Sequence, residues 1–158
     1  MQRRRWPAFM PPTTGGFDVH GHLALSTGEQ LTLDLLAVRA FPEGLHLRMA
    51  VTATGRTATA ALHQTRALTD PADLSAQWSY LAVRVRVDDC DADADPSFPK
   101  PDTQARSGGL ATYRTEPHYW IGTVPTCASL MFSAGWPEIG LDTATTTVYL
   151  ESHTVSPD

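Results

Sequence analysis

Hydrophobic and polar positions alternate with a period of two along several runs of this chain. Phe17, Val19, Gly21, Leu23 and Leu25 alternate with Asp18, His20, His22 and Ala24. Leu31, Leu33 and Leu35 alternate with Thr32 and Asp34, and the run continues through Val38 to Phe41. Leu45, Leu47, Met49 and Val51 face His46, Arg48, Ala50 and Thr52, and Leu81, Val83, Val85 and Val87 face Ala82, Arg84, Arg86 and Asp88. Successive side chains of a strand point to opposite faces, so each run predicts a strand with one buried face. Pro42-Glu43-Gly44 separates two of the runs. Proline presets one turn torsion and glycine accepts a positive one, so a hairpin is expected there.

Shorter β-forming segments follow at 110–114, 118–124, 130–134 and 143–151, separated by Glu116-Pro117, Pro125-Thr126 and Gly135-Trp136-Pro137. Arg56 to His63 is small and threonine-rich, compatible with a weak or edge strand, and 64–77 is less regular. No segment keeps a 3.6-residue stripe over three turns. About eight short strands point to an all-β fold, an antiparallel β-sandwich, with a small β-barrel as the alternative. The domain spans 17–153. Residues 1–16 are basic and then rich in Pro, Thr and Gly, which predicts an arm. Residues 89–109 predict a long loop, since proline and Gly-Gly signals interrupt it and its apolar content is low.

Composition narrows the class. The chain has 158 residues, which fits one domain. Its net charge of −5 argues against a nucleic-acid footprint. No apolar run reaches the length of about 20 residues that spans a bilayer. Arg3, Arg4 and Arg5 imitate the head of a signal peptide, but prolines and glycines interrupt the apolar stretch such a peptide needs, so a cytoplasmic setting is expected. Cys90 and Cys127 form no CxxC or zinc pattern, and free thiols are expected, although a disulfide is geometrically possible.

The stretch His118-Tyr119-Trp120-Ile121-Gly122-Thr123-Val124-Pro125, with Leu130-Met131-Phe132 and Gly135-Trp136-Pro137-Glu138-Ile139-Gly140, resembles a group of small uncharacterised actinobacterial proteins. Those proteins carry a Gly-Gly segment, a "YW" strand and a "W-P-x-x-G-I" segment near the end. Gly108-Gly109 fits the first. Val38-Arg39-Ala40-Phe41-Pro42-Glu43-Gly44 resembles their "V-x-A-[YF]-P-x-G" hairpin. The resemblance covers about a third of the chain and implies a β domain in a bacterial cell, with no activity to carry over.

Two clusters have the chemistry of a metal site. His20 and His22 would lie about 7 Å apart on one strand face and could share a transition metal with a third ligand. Glu29 and His46 invite comparison with the cupin motifs, but their spacing does not fit; two surface histidines are the simpler reading. Asp88, Asp89, Asp91, Asp93 and Asp95 could surround a hard cation such as Ca²⁺. Pro96 stands where an EF-hand needs glycine, and Asp102 where it needs glutamate, so a solvated acidic loop is preferred. No resident cofactor is expected.

No catalytic residue is assigned: there is no G-x-S-x-G, P-loop or G-x-G-x-x-G. Candidate contacts for a ligand or partner are Trp6 and Phe9 on the arm, which could dock on this domain or on a partner. Trp78, Tyr80, Arg84 and Arg86 are candidates along one strand, and Trp120 and Trp136 are large aromatics suited to filling or capping a sandwich. The expected function is a non-catalytic protein-interaction or structural module, with a protein partner or self-association. The alternatives are a small enzyme or ligand-binding protein using an aromatic-lined sandwich mouth, and a cation-dependent module using Asp88–Asp95.

Overall fold

A computed structural model describes residues 5–9, 11, 12, 15–65, 79–97, 99, 101–106, 109–126 and 128–150. Two sheets carry the described chain. The five-stranded sheet runs β1 (Arg5–Trp6), β7 (Cys90–Ala94), β6 (Ala82–Val87), β11 (Ser129–Trp136) and β12 (Leu141–Tyr149). The seven-stranded sheet runs β2 (Phe17–His20), β4 (Leu31–Phe41), β5 (Gly44–Thr54), β9 (Gly109–Thr115) and β8 (Asp102–Arg106). In that sheet β3 (Leu23–Thr27) pairs with β4, and β10 (His118–Ile121) with β5. Strand pairs are antiparallel except β1 with β7. The architecture is the expected all-β sandwich, not closed into a barrel.

The core follows the alternation. Leu45, Leu47, Met49 and Val51 of β5 turn inward and are fully buried, as are Val85 of β6 and Phe132 of β11. The β4–β5 hairpin closes at Phe41↔Gly44 as expected. Gly44 is required by close approach: a Cβ there would stand 2.1 Å from the Ile121 carbonyl oxygen of β10.

Four local expectations are corrected. Arg56 to His63 is not a strand but the middle of helix α1 (Gly55–Gln64). Gly55 turns the chain out of β5 at φ 58°, a torsion that suits glycine. Ala58 and Ala61, at helical spacing, are then buried against β5 and β9. The alternating threonines imitate a strand, while the alanines that favour the helix carry a weak hydrophobic signal.

The run 89–109 is not one long loop. Val87, Asp88, Asp89 and Cys90 make a tight hairpin turn, with Asp88 at φ 53°, and β7 returns along β6. Ala92 and Ala94 are the buried row of that strand and Asp91 and Asp93 its outer row. Alanine is small enough that the acidic alternation reads as polar throughout. The run 17–25 divides into β2 and β3, which pair with successive parts of β4 on either side of Gly21 and His22.

Residues 1–16 are also not wholly an arm outside the domain. Arg5–Trp6 adds a parallel strand to β7, and Asp95 donates its backbone N–H to the Trp6 carbonyl. Trp6 is 8% exposed, and its indole Nε1 donates to the Val85 carbonyl at 3.0 Å.

Buried hydroxyls are mostly satisfied. Thr115 Oγ1 donates to the Pro99 carbonyl and accepts from Tyr80 Oη. Thr65 Oγ1 donates to the Ala61 carbonyl and accepts from Tyr113 Oη. Tyr119, in β10, is the exception: it is 0% exposed, and among the described residues its hydroxyl meets no partner. Burial also pushes its ionisation well above the usual tyrosine range. A buried unpaired hydroxyl costs about 1–3 kcal/mol. Tyr119→Phe is therefore expected to stabilise the fold by about 1 kcal/mol, read as a raised urea midpoint at unchanged slope. A lowered midpoint would show that the hydroxyl is paired.

Candidate functional site

The outer face of the five-stranded sheet carries a ladder of opposite charges. Arg84 Nε donates to Asp91 Oδ1 at 3.0 Å, and its Nη1 lies 3.5 Å from Asp93. Arg5 reaches Asp93 at 3.7 Å and makes a close pair with Asp95. Arg86 Nε donates to the Asp88 carbonyl, and the Asp88 carboxylate accepts from the Thr126 N–H and hydroxyl. Asp89 sits exposed in the turn. The acidic run thus forms cross-strand ion pairs rather than the start of an EF-hand loop. Alternation in β7 puts Asp91 and Asp93 beside the arginines of β6. Such half-exposed pairs contribute little stability each. They give the outer face of this sheet a mixed, balanced charge.

The outer face of the seven-stranded sheet holds a histidine pair, one ring buried and the other part-buried. His46 of β5 is 8% exposed, although its neighbours Leu45 and Leu47 point the opposite way into the core. His46 Nε2 and His118 Nδ1 of β10 lie 2.9 Å apart, within one hydrogen bond. Trp120, directly opposite His46, packs on Phe41 at a ring distance of 5.8 Å. Arg39 stands over Phe41 and donates to the Gly15 and Gly16 carbonyls, drawing that segment across the face. Burial first, then His118, Arg48 and Arg39, lower the His46 pKa to about 4. Burial and Arg48 also lower that of His118, against the opposing pull of Glu116. Sequence reasoning places His46 on an outer face but does not pair it. No local signal pairs it, since only the antiparallel pairing of β10 with β5 sets His118 opposite Arg48, one diagonal step from His46.

His20 and His22 do not share a strand face. The strand ends at His20, whose Nδ1 donates to the Gly21 carbonyl, and His22 pairs with Asp34 at 2.9 Å. Among the described residues no three His, Cys, Asp or Glu side chains converge as a metal site. The aromatic candidates do not form one mouth. Trp136 is fully buried, packs on Tyr80 at 5.3 Å and donates to Ser79 Oγ. Trp120 lies on the far side of the other sheet, and Phe9 is exposed. Trp78, Arg3, Arg4 and Cys127 lie outside the described residues. Cys90 is part-buried in β7.

The least finished part of the sandwich is the side where β12 ends one sheet and β3 flanks the other. Between them opens a cleft of about 290 Å³, lined by Leu25, Leu31, Leu33, Phe132 and Leu141 among others. Ala144 and Thr146 of β12 pair with Ala134 and Phe132 of β11, which are buried, so all four face inward. Yet Ala144 is exposed and Thr146 only partly covered. Among the described residues β12 pairs only with β11, and none of them pairs with its outer edge. Asp142 is its one charged residue. Edge strands are usually shielded by charge, proline or a bulge, because their unpaired N–H and C=O groups recruit other strands. In β12 the one bulge is confined to the start, between Leu141 and Ala144, and the outward positions beyond it are the threonines 143, 145 and 147.

Among the described residues no helix is long and apolar enough to cross a membrane. Comparison of the chain with protein-family models, curated proteins and solved structures finds no match.

Proposed function

We propose that this protein is a non-catalytic interaction module of a bacterial assembly or pathway, working in the cytoplasm, and that β12 is the element it offers to a partner. The observation that carries this reading is the nearly uncharged, nine-residue edge of β12, unpaired among the described residues and set above an apolar cleft. An extended strand added there would satisfy the free backbone groups, while its alternate side chains enter the cleft. The rest of the molecule supports the reading by subtraction. The arginines of β6 and the aspartates of β7 are engaged with one another, Trp6 and Trp136 fill the core, and Trp120 packs on the far sheet.

The test is affinity capture from a lysate of the source organism with two baits, the wild type and Thr145→Lys/Thr147→Lys. Both positions are exposed and turned away from the core, so the substitutions leave packing intact. Proteins retained by the wild type and lost with the double variant support the reading. An identical retained set for both baits overturns it.

The cleft itself favours a second reading, capture of a small apolar molecule between the sheets. Its volume is at the small end for a ligand pocket. A fluorescent probe of apolar sites that binds the wild type and is excluded by Ala144→Phe would support this alternative.

A further inference from the structure

We infer that the strand β12 recruits is the β12 of a second copy of this chain, paired antiparallel about a two-fold axis through Thr145. The inference rests on the reading of β12 as the contact element and names its partner. Three observations point to self-pairing. First, the strand runs Leu141–Tyr149, and its midpoint is Thr145. A two-fold axis there pairs the regular part of the strand with itself: Thr145 meets Thr145, Ala144 meets Thr146 and Thr143 meets Thr147, while the bulge between Ala144 and Leu141 takes the start of the strand out of this register. Residues directly opposite in an antiparallel pair point to the same face. Within 143–147, inward positions therefore meet inward positions.

Second, the charge pattern permits it. Asp142 is the only charge on the strand, and it lies at the bulged start, three residues from the axis, so it does not face its own mate. Like charges facing each other across a strand pair are destabilising, and none do so here. The outer face of the joint becomes a row of threonine pairs, a favourable cross-strand combination. Third, the joint covers what the single copy leaves open. Ala144 and Thr146 point into the sandwich yet reach water. In the pair they stand beside the same two residues of the second copy, and the clefts of the two copies meet at the axis. The two five-stranded sheets become one continuous sheet, and the interface is isologous, so it closes at two copies.

The test is sedimentation velocity from micromolar to submillimolar concentration on the full chain. The wild type is expected to move from 17.2 kDa to twice that mass as concentration rises. Thr145→Lys sets two lysines directly opposite each other at the axis, with Cβ atoms about 5 Å apart, and is expected to stay monomeric with an unchanged circular-dichroism spectrum. Register is read with Thr145→Cys, which is expected to cross-link to its mate under mild oxidation. Thr143→Cys alone is expected not to, while a mixture of Thr143→Cys and Thr147→Cys is; the wild type with its native cysteines is the control. A wild type that stays monomeric throughout, or a dimer that Thr145→Lys leaves intact, overturns the inference. A monomer whose capture of another protein still depends on Thr145 and Thr147 overturns self-pairing and leaves the interaction reading standing. A dimer broken by Thr145→Lys supports the inference even when capture finds no other protein.

Discussion

Replacing Trp6 with alanine is expected to remove about 3–5 kcal/mol of folding stability, a large share of what a domain of this size has. The indole is 8% exposed, belongs to the main core cluster and donates a hydrogen bond to the Val85 carbonyl across the sheet. Its loss leaves a cavity beside β6 and β7 and frees the two-residue strand that closes one edge of the five-stranded sheet. Phe9, three residues on, is 58% exposed, and Phe9→Ala should change stability by no more than about 0.5 kcal/mol. Urea unfolding of both variants beside the wild type decides the matter. Equal midpoints for Trp6→Ala and Phe9→Ala would mean that the N-terminal segment is an appendage after all. The same burial bears on assembly, because a Trp6 committed to its own core is not available to a neighbour.

The second large effect is acid sensitivity. His46 titrates at about 4 in the folded protein, lowered mainly by burial, against about 6.5 in the unfolded chain. Above pH 6.5 both states are neutral and the difference contributes nothing. Between about 6.5 and 4 the unfolded state takes a proton that the folded state refuses, so stability falls as the pH falls. The full shift corresponds to about 3 kcal/mol, and water access from the part-exposed His118 side reduces the expected loss to roughly 2 kcal/mol. The pair geometry works in the same direction. One proton between His46 Nε2 and His118 Nδ1 makes a hydrogen bond, whereas protonation of both facing nitrogens sets N–H against N–H. Arg39 and Arg48 oppose added positive charge, and Glu116 favours it. Unfolding free energies measured at intervals from pH 7 to pH 4 should slope more steeply for the wild type than for His46→Gln, where the carboxylates still titrate but the imidazole is gone. Parallel slopes would show that His46 takes up its proton in the folded protein as readily as in the unfolded one.

The strand runs with large aliphatic residues on one face were legible from the residues alone. Leucine and valine at every second position of 31–35, 45–51 and 81–87 demand a buried face, and Pro42-Glu43-Gly44 supports only a short turn. Those features determined an antiparallel β fold and the hairpin at its centre. Where the inward residue was alanine, the same rule lost its contrast. Ala92 and Ala94 hid β7 inside an acidic run, and Ala58 and Ala61 hid α1 inside a threonine-rich one. A methyl group supplies too little hydrophobic signal to mark a face, although once packed it fits a tight gap as well as any side chain.

The candidate sites belonged to tertiary structure. His46 and His118 are 72 residues apart, and only the pairing of β10 with β5 brings their rings together. The arginines of β6 and the aspartates of β7 neutralise each other because a two-residue turn folds one strand onto the other. The same residues in a loop would have faced water or a cation. The threonine run 143–147 could be read as a strand from its composition. Whether that strand would be central or an open edge over an apolar cleft depended on the order of strands in the sheet. That order is set by long-range packing between the two faces, which local alternation does not encode.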